Sequence, residues 1–259
     1  NGSRVVAGAS GARLGEVGEG NRKDVRNAVA AARAAAGWAE TTAHNRAQIL
    51  YYVAENLSAR ADEFARRITA MTGADGAREV ADTIAVLFNF AAWADKFEGV
   101  VHIPPVRGVA LALPEPHGVV GVVAPPEPPL LGLVGAVAPL VATGNRVVVV
   151  PSEPFPLAAT DFYQVLETSD VPPGVINIVT GAAASLGRTL AEHDDVDAVW
   201  AFGTADLSTA IERLSTGNLK RTFVDGGRAL PVGDPTGRSD RLFLAEAVDV
   251  KNIWIPYGE

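Results

Sequence analysis

Residues 118–150 read GVVGVVAPPEPPLLGLVGAVAPLVATGNRVVVV. The apolar run at 119–123 shows no alternation, and neither do the four valines at 147–150. Unbroken β-branched runs of this length fit strands buried on both faces. The stretch between them, 130–141, is too long for such a strand and is closed by Gly144. It predicts a helix. A buried strand, a helix and a second buried strand make a parallel unit. Moving outward, helices are expected at 157–167, 185–192 and 207–214, and strands at 175–179, 199–202 and 221–224. Five strands alternating with helices predict an α/β fold: a five-stranded Rossmann-like parallel sheet with helices on both faces.

Upstream, the pattern is helical. Residues 24–36 carry Val25, Ala28, Val29 and Ala32 on one face, with Gly37 as the stop. Thr41 or Thr42 can cap a second helix with the stripe Ile49, Leu50, Val53 and Leu57. A third places Phe64, Ile68 and Met71 together and ends near Gly73, and a fourth runs over about 77–97. These four read as core-forming helices without catalytic groups. Residues 100–113, interrupted by Pro104 and Pro105, read as a hairpin or excursion of extended chain. Residues 230–240 hold Pro231, Gly233, Pro235 and Gly237 and read as a loop, and 248–255 as a terminal strand.

Composition narrows the function. The 259 residues carry 22 Lys and Arg against 30 Asp and Glu, a net charge of −8. That balance disfavours nucleic acid and anionic membranes as partners. With no cysteine, this chain has no disulfide, thiolate metal site or cysteine nucleophile. His44, His102, His117 and His193 stand singly, without metal-ligand spacing, so no metal site is expected. Residues 1–20 lack an apolar signal core, and 130–141 is too short to span a bilayer. The expectation is a soluble cytoplasmic protein.

Several stretches carry a family resemblance: residues 24–63, WADKFEG at 93–99, EPHGVVG at 115–121, ATGNRVVVVPSE at 142–153, PPGVINIVTG at 172–181, and Asp225-Gly226-Gly227. Through them the chain resembles the aldehyde dehydrogenase superfamily over roughly residues 1–228. The resemblance implies aldehyde dehydrogenase-like N-terminal helices and a degenerate dinucleotide-binding domain over 1–228, with extended strands at about 100–113. Residues 229–247 would be a linker and 248–259 a terminal oligomerisation-type strand, with the catalytic domain missing. Thirty-one residues follow Arg228, none of them cysteine.

The family's chemistry is replaced position by position. Where its Pro-Trp-Asn-Phe-Pro motif supplies an oxyanion amide, this chain has Pro125-Pro126-Glu127-Pro128-Pro129. An ionised Glu127 would repel a developing oxyanion. Val224 stands at the general base and cannot take a proton. Val150 stands at the ribose-binding lysine, ahead of an intact Pro151-Ser152-Glu153. What remains for a cofactor is vestigial: Glu153 for ribose hydroxyls, and Gly203 and Thr204 at a helix N-terminus suited to phosphate. The second glycine of that loop is Ser208, and Gly181 and Gly187 read as packing glycines. No catalytic residue is expected.

The resemblance is strongest to the degenerate C-terminal domain of the two-domain family-sixteen enzymes. It implies a non-catalytic pseudoenzyme domain with a structural or assembly role, part of a longer NAD-dependent aldehyde dehydrogenase polypeptide and holding no cofactor. One alternative is an NAD(H)-binding regulatory module. Another is a portion of an active oxidoreductase whose cysteine lies outside this chain. The strands from Val106 to Leu113 and from Val250 to Ile255 are expected to pair with each other or with a partner. That partner would be a second copy or a catalytic aldehyde dehydrogenase domain.

Overall fold

The computed structural model describes residues 2–105 and 107–257. The chain opens with an antiparallel hairpin, β1 (Ser3–Ala7) and β2 (Arg13–Gly18). The sequence pattern assigns no element there. The hairpin sends just Val6 and Val17 into the core, too few for a visible period.

Four helices follow: α1 (Arg22–Ala34), α2 (Ala43–Ala59), α3 (Ala61–Thr72) and α4 (Gly76–Ala94). Their ends follow capping rules. The Asn21 and Asp24 side chains form a capping box on α1. Thr42 caps α2, and Gly73, at φ 75°, ends α3. Helix α1 stops at Ala34, before Gly37, and α4 stops at Ala94 rather than running to 97.

The extended excursion is real. Strands β3 (Val100–His102) and β4 (Gly108–Pro116) pair antiparallel, with Pro104 and Pro105 between them. Then come β5 (Val119–Val123), α5 (Pro129–Ala142), β6 (Arg146–Val150), α6 (Leu157–Glu167), β7 (Ile176–Ile178), α7 (Ala183–Glu192), β8 (Ala198–Ala201), α8 (Ala205–Leu214) and β9 (Arg221–Val224). The five strands form one parallel sheet in the order β7-β6-β5-β8-β9. Val119, Val123, Val148 and Val150 pack against α1, α7 and α8. Val120, Val122, Val147 and Val149 pack into the larger core with α2 to α6. Both faces are covered, which is why the valine runs show no alternation.

Residues 229–247 depart from the linker expectation. They fold back over the sheet and include a helix, α9 (Asp240–Glu246), whose Phe243 and Leu244 are fully buried. The approach is close: a Cβ on Gly135 of α5 would lie 2.4 Å from the Gly233 nitrogen. Seven residues are too few for a periodic stripe, and the Pro- and Gly-rich run before them reads as punctuation.

The last strand, β10 (Val248–Pro256), pairs antiparallel with β4 along its whole length, giving the three-stranded order β10-β4-β3. The two segments expected to pair therefore do so within one chain; Val106 itself lies outside the described residues. The outer strands of this arm stay exposed, with Val101 and Trp254 each 63% accessible. No helix among the described residues is long and apolar enough to cross a membrane.

A small polar cluster pins the arm to the sheet. The buried His117 ring places Nδ1 3.0 Å from Asp249 Oδ2 and Nε2 2.9 Å from the Glu246 carbonyl oxygen. Arg221 donates to the other Asp249 oxygen at 2.6 and 2.9 Å. Burial opposes ionisation of Asp249, but the hydrogen bonds and charges of His117 and Arg221 outweigh it and hold the carboxyl below its ordinary value. A depressed carboxyl contributes stability above its unfolded pKa and loses it as pH falls through the folded value. Asp249→Asn is expected to cost about 1 kcal/mol at pH 7, since the group is half-exposed. Urea titrations should show that difference shrinking toward pH 3.

Candidate functional site

An open parallel sheet gathers its ligand groups at the carboxyl ends of its strands. Here that edge is formed by residues 124–129 after β5, 151–156 after β6, 179–182 after β7, 202–204 after β8 and 225–228 after β9. The structure brings Glu153, Gly203 and Thr204 to this edge. It also shows what each is bonded to.

Glu153 Oε2 accepts the Ala183 backbone N–H at 2.8 Å, so its carboxylate caps the N-terminus of α7. Its main-chain oxygen accepts from Arg4 at 2.7 Å. Thr204 is the N-cap of α8: its Oγ1 accepts the Leu207 N–H at 3.2 Å. The Gly203 N–H donates to Asp225 Oδ2 at 2.9 Å. The other Asp225 oxygen accepts from Gly227 N at 3.0 Å and from Ser208 Oγ at 3.4 Å, and Ser208 Oγ in turn accepts from Gly226 N at 3.1 Å.

Asp225 thus ties the β9 exit to the amide end of α8. In the sequence Asp225 stands where the family resemblance implies the leucine of a Leu-Gly-Gly run. An acid at an apolar position was the available signal. A carboxylate near the N-terminus of a helix is favourable in itself.

The proline loop is stiff. Pro125 and Pro126 follow β5, the Glu127–Pro128 peptide is cis, and Pro129 opens α5. Proline lacks an N–H, so the loop offers few donors toward the site. Ser152 Oγ donates to the Pro126 carbonyl at 2.7 Å and fastens the loop to the β6 exit. Glu127 is exposed, and Val224 lies half-buried at the end of β9. Gly187 behaves as a packing glycine: a Cβ there would lie 2.9 Å from Val123 Cγ2.

Glu79 on α4 escaped the sequence reading, being one acid in an otherwise apolar stripe. Its Oε1 accepts the N–H groups of Leu130 at 2.7 Å and Leu131 at 3.1 Å, and so caps the fully apolar helix α5 from another element. Burial pushes its carboxyl above the ordinary value; the two amide bonds pull it down and the Glu127 charge adds to the rise. A raised folded pKa means that the group's favourable contribution is complete below the unfolded value and is lost as pH rises through the folded one. Glu79→Gln keeps an acceptor and removes the charge. The variant is expected to gain stability relative to the parent as pH rises from 4 to 8, read by urea unfolding at each pH.

The matches to known proteins follow this architecture. The family model described as "Aldehyde dehydrogenase family" matches residues 2–231. The chain belongs to the aldehyde dehydrogenase family. It is 35% identical over 237 residues to 2-hydroxymuconic semialdehyde dehydrogenase of Pseudomonas putida, covering 86% of this chain and 48% of that protein. Betaine aldehyde dehydrogenase of Bacillus subtilis (strain 168) is 32% identical over 225 residues, covering 84% and 46%. Among solved structures, betaine aldehyde dehydrogenase from Staphylococcus aureus in complex with NAD+ superposes with a TM-score of 0.81 at 28% identity, over 86% of this chain and 46% of that one. The chain therefore spans about half the length of the aldehyde dehydrogenases it matches.

Proposed function

We propose that this chain is a non-catalytic aldehyde dehydrogenase-like domain with an assembly role. In this reading it belongs to a longer polypeptide of the family-sixteen kind, whose other portion is the NAD-dependent enzyme. The observation that carries the reading is the Asp225 carboxylate on the Gly203 amide. In this reading the chain's own negative charge beside the head of α8 disfavours a second anion there. The Asp225 charge would oppose a dinucleotide pyrophosphate there, and one oxygen of Glu153 is already committed to the α7 N-terminus. In this reading the chain holds no cofactor.

The missing reactive groups point the same way. The chain has no cysteine for a thiohemiacetal, Glu127 replaces the oxyanion amide, and Val224 replaces the base. The exposed arm β10-β4-β3 supports the assembly role. Its unpaired edge strands and apolar Val101, Ile103, Trp254 and Ile255 suit a second copy or a catalytic aldehyde dehydrogenase domain.

One observation favours the alternative of an NAD(H)-sensing module. Gly203 is not in the left-handed region, and a Cβ there would make only ordinary contact with Leu207. Neither backbone conformation nor packing demands this glycine. Calorimetric titration with NAD+ and NADH separates the readings. No heat up to millimolar cofactor is expected. Binding tighter than about 100 µM, roughly 5.5 kcal/mol, abolished by Gly203→Trp, would replace the assembly reading with the sensing one.

A further inference from the structure

His117 stands at the turn between β4 and β5, where the arm joins the parallel sheet. Its side chain is 3% exposed. Both ring nitrogens face acceptors. Nδ1 lies 3.0 Å from Asp249 Oδ2 on β10, and Nε2 lies 2.9 Å from the carbonyl oxygen of Glu246 on α9. An ionised carboxylate and a carbonyl have no hydrogen to give. A neutral imidazole has one N–H and one lone pair, so neither tautomer satisfies both contacts. Only the ring with both protons does. A proton on Asp249 instead is opposed by Arg221, which donates to the other carboxylate oxygen at 2.6 and 2.9 Å.

The charged groups around the ring come from every element that meets it. Asp249 lies on β10, Arg221 on β9, and the exposed Glu246 on α9. Glu115 on β4 pairs with Lys251 on β10 at 3.0 Å. At the entry to β8, Asp197 accepts the Val119 N–H at 2.7 Å and pairs with Arg33 at 2.7 Å, and Arg146 opens β6. Carboxylates, lysine and arginine ordinarily hold one charge state between pH 5.5 and 8.5, whereas histidine does not. A cavity of about 290 Å³ adjoins the ring, with Phe223, Val248 and Val250 in its lining, so the junction has room to loosen that a close-packed core lacks.

We propose that His117 is a proton-operated clasp on the α9–β10 junction. With both protons, the ring holds Glu246 and Asp249 at once. When one proton leaves to solvent, a lone pair is turned on an oxygen, that contact becomes repulsive, and the root of the arm loosens. The clasp needs Asp249 ionised and the ring charged. It therefore closes at mildly acidic pH and opens as pH rises. It acts within one chain and does not depend on the assembly reading.

The test follows amide hydrogen exchange of the whole chain at pH 5.5 and 8.5, each rate divided by the intrinsic chemical rate at that pH. Protection of residues 248–255 is expected to fall about tenfold at pH 8.5, the weight of one hydrogen bond to a charged group, while residues 147–150 of β6 change less than about twofold. At pH 5.5, nitrogen NMR of the parent chain should show hydrogen on both His117 ring nitrogens. Asp249→Asn should remove the pH dependence, because the amide can turn its NH2 toward a bare Nδ1 and the neutral ring then satisfies both neighbours. His117→Gln should remove it too, and His102→Gln on β3 should leave it intact. Equal protection at the two pH values overturns the proposal. So does a bare ring nitrogen on His117 at pH 5.5, or a fall that survives in Asp249→Asn or His117→Gln. The nitrogen spectrum is read on the parent chain, so the clasp stays falsifiable even where a variant does not fold.

Discussion

Phe243→Ala is expected to lower the unfolding free energy by about 3–5 kcal/mol, the usual cost of deleting a buried aromatic ring. Phe243 is 1% exposed. Its ring centroid lies 5.7 Å from that of Phe223, 5.9 Å from that of Trp200 and 6.4 Å from that of Phe202. The edge-on and tilted contacts add to the loss of buried area. The backbone of α9 is held by its neighbours, so the site cannot collapse fully and a cavity remains. Equilibrium urea unfolding with near-ultraviolet circular dichroism measures both the cost and the loss of aromatic packing. A change below 1 kcal/mol would mean that residues 229–247 are a tether, as their composition suggests, and not part of the core.

Asn145→Leu is expected to cost about 3 kcal/mol, because it breaks a buried hub rather than one bond. Asn145 is fully buried. Its Oδ1 accepts the Gly118 N–H at 3.0 Å. Its Nδ2 donates to Ala247 O at 2.8 Å, Thr143 Oγ1 at 3.0 Å and Leu140 O at 3.2 Å. One side chain joins the end of α5, the entry to β5 and the end of α9. Leucine conserves volume but leaves the Gly118 N–H and the Ala247 carbonyl without these partners in the interior. The measurement is again urea unfolding. If the two variants are made together, the sum of their costs should exceed the double mutant's cost, since both release α9.

How much of this was visible beforehand depended on whether the signal was local. The strands at 119–123 and 221–224 and the helix at 157–167 match the sequence reading residue for residue. Burial on both faces writes itself as an unbroken run of valine or as a helical stripe. The β1–β2 hairpin and α9 were missed because each buries only two or three large side chains, below what any periodicity can reveal. Glu153, Gly203 and Thr204 carry a motif legible in the sequence, but the bonds they make to Ala183, Asp225 and Leu207 are not.

The sequence by itself determined the α/β class, the five parallel strands, the family, and the absence of a cysteine thiol in this chain. These follow from residue identity and from patterns within a few turns or strands. Only the tertiary structure decided that Asp225 occupies the amide of Gly203, 22 residues away, and that Glu79 caps α5 across 51 residues. It also decided that β10 returns to β4. Hydrogen-bond partners chosen over such separations depend on where folding brings the backbone, and no local spacing records that choice.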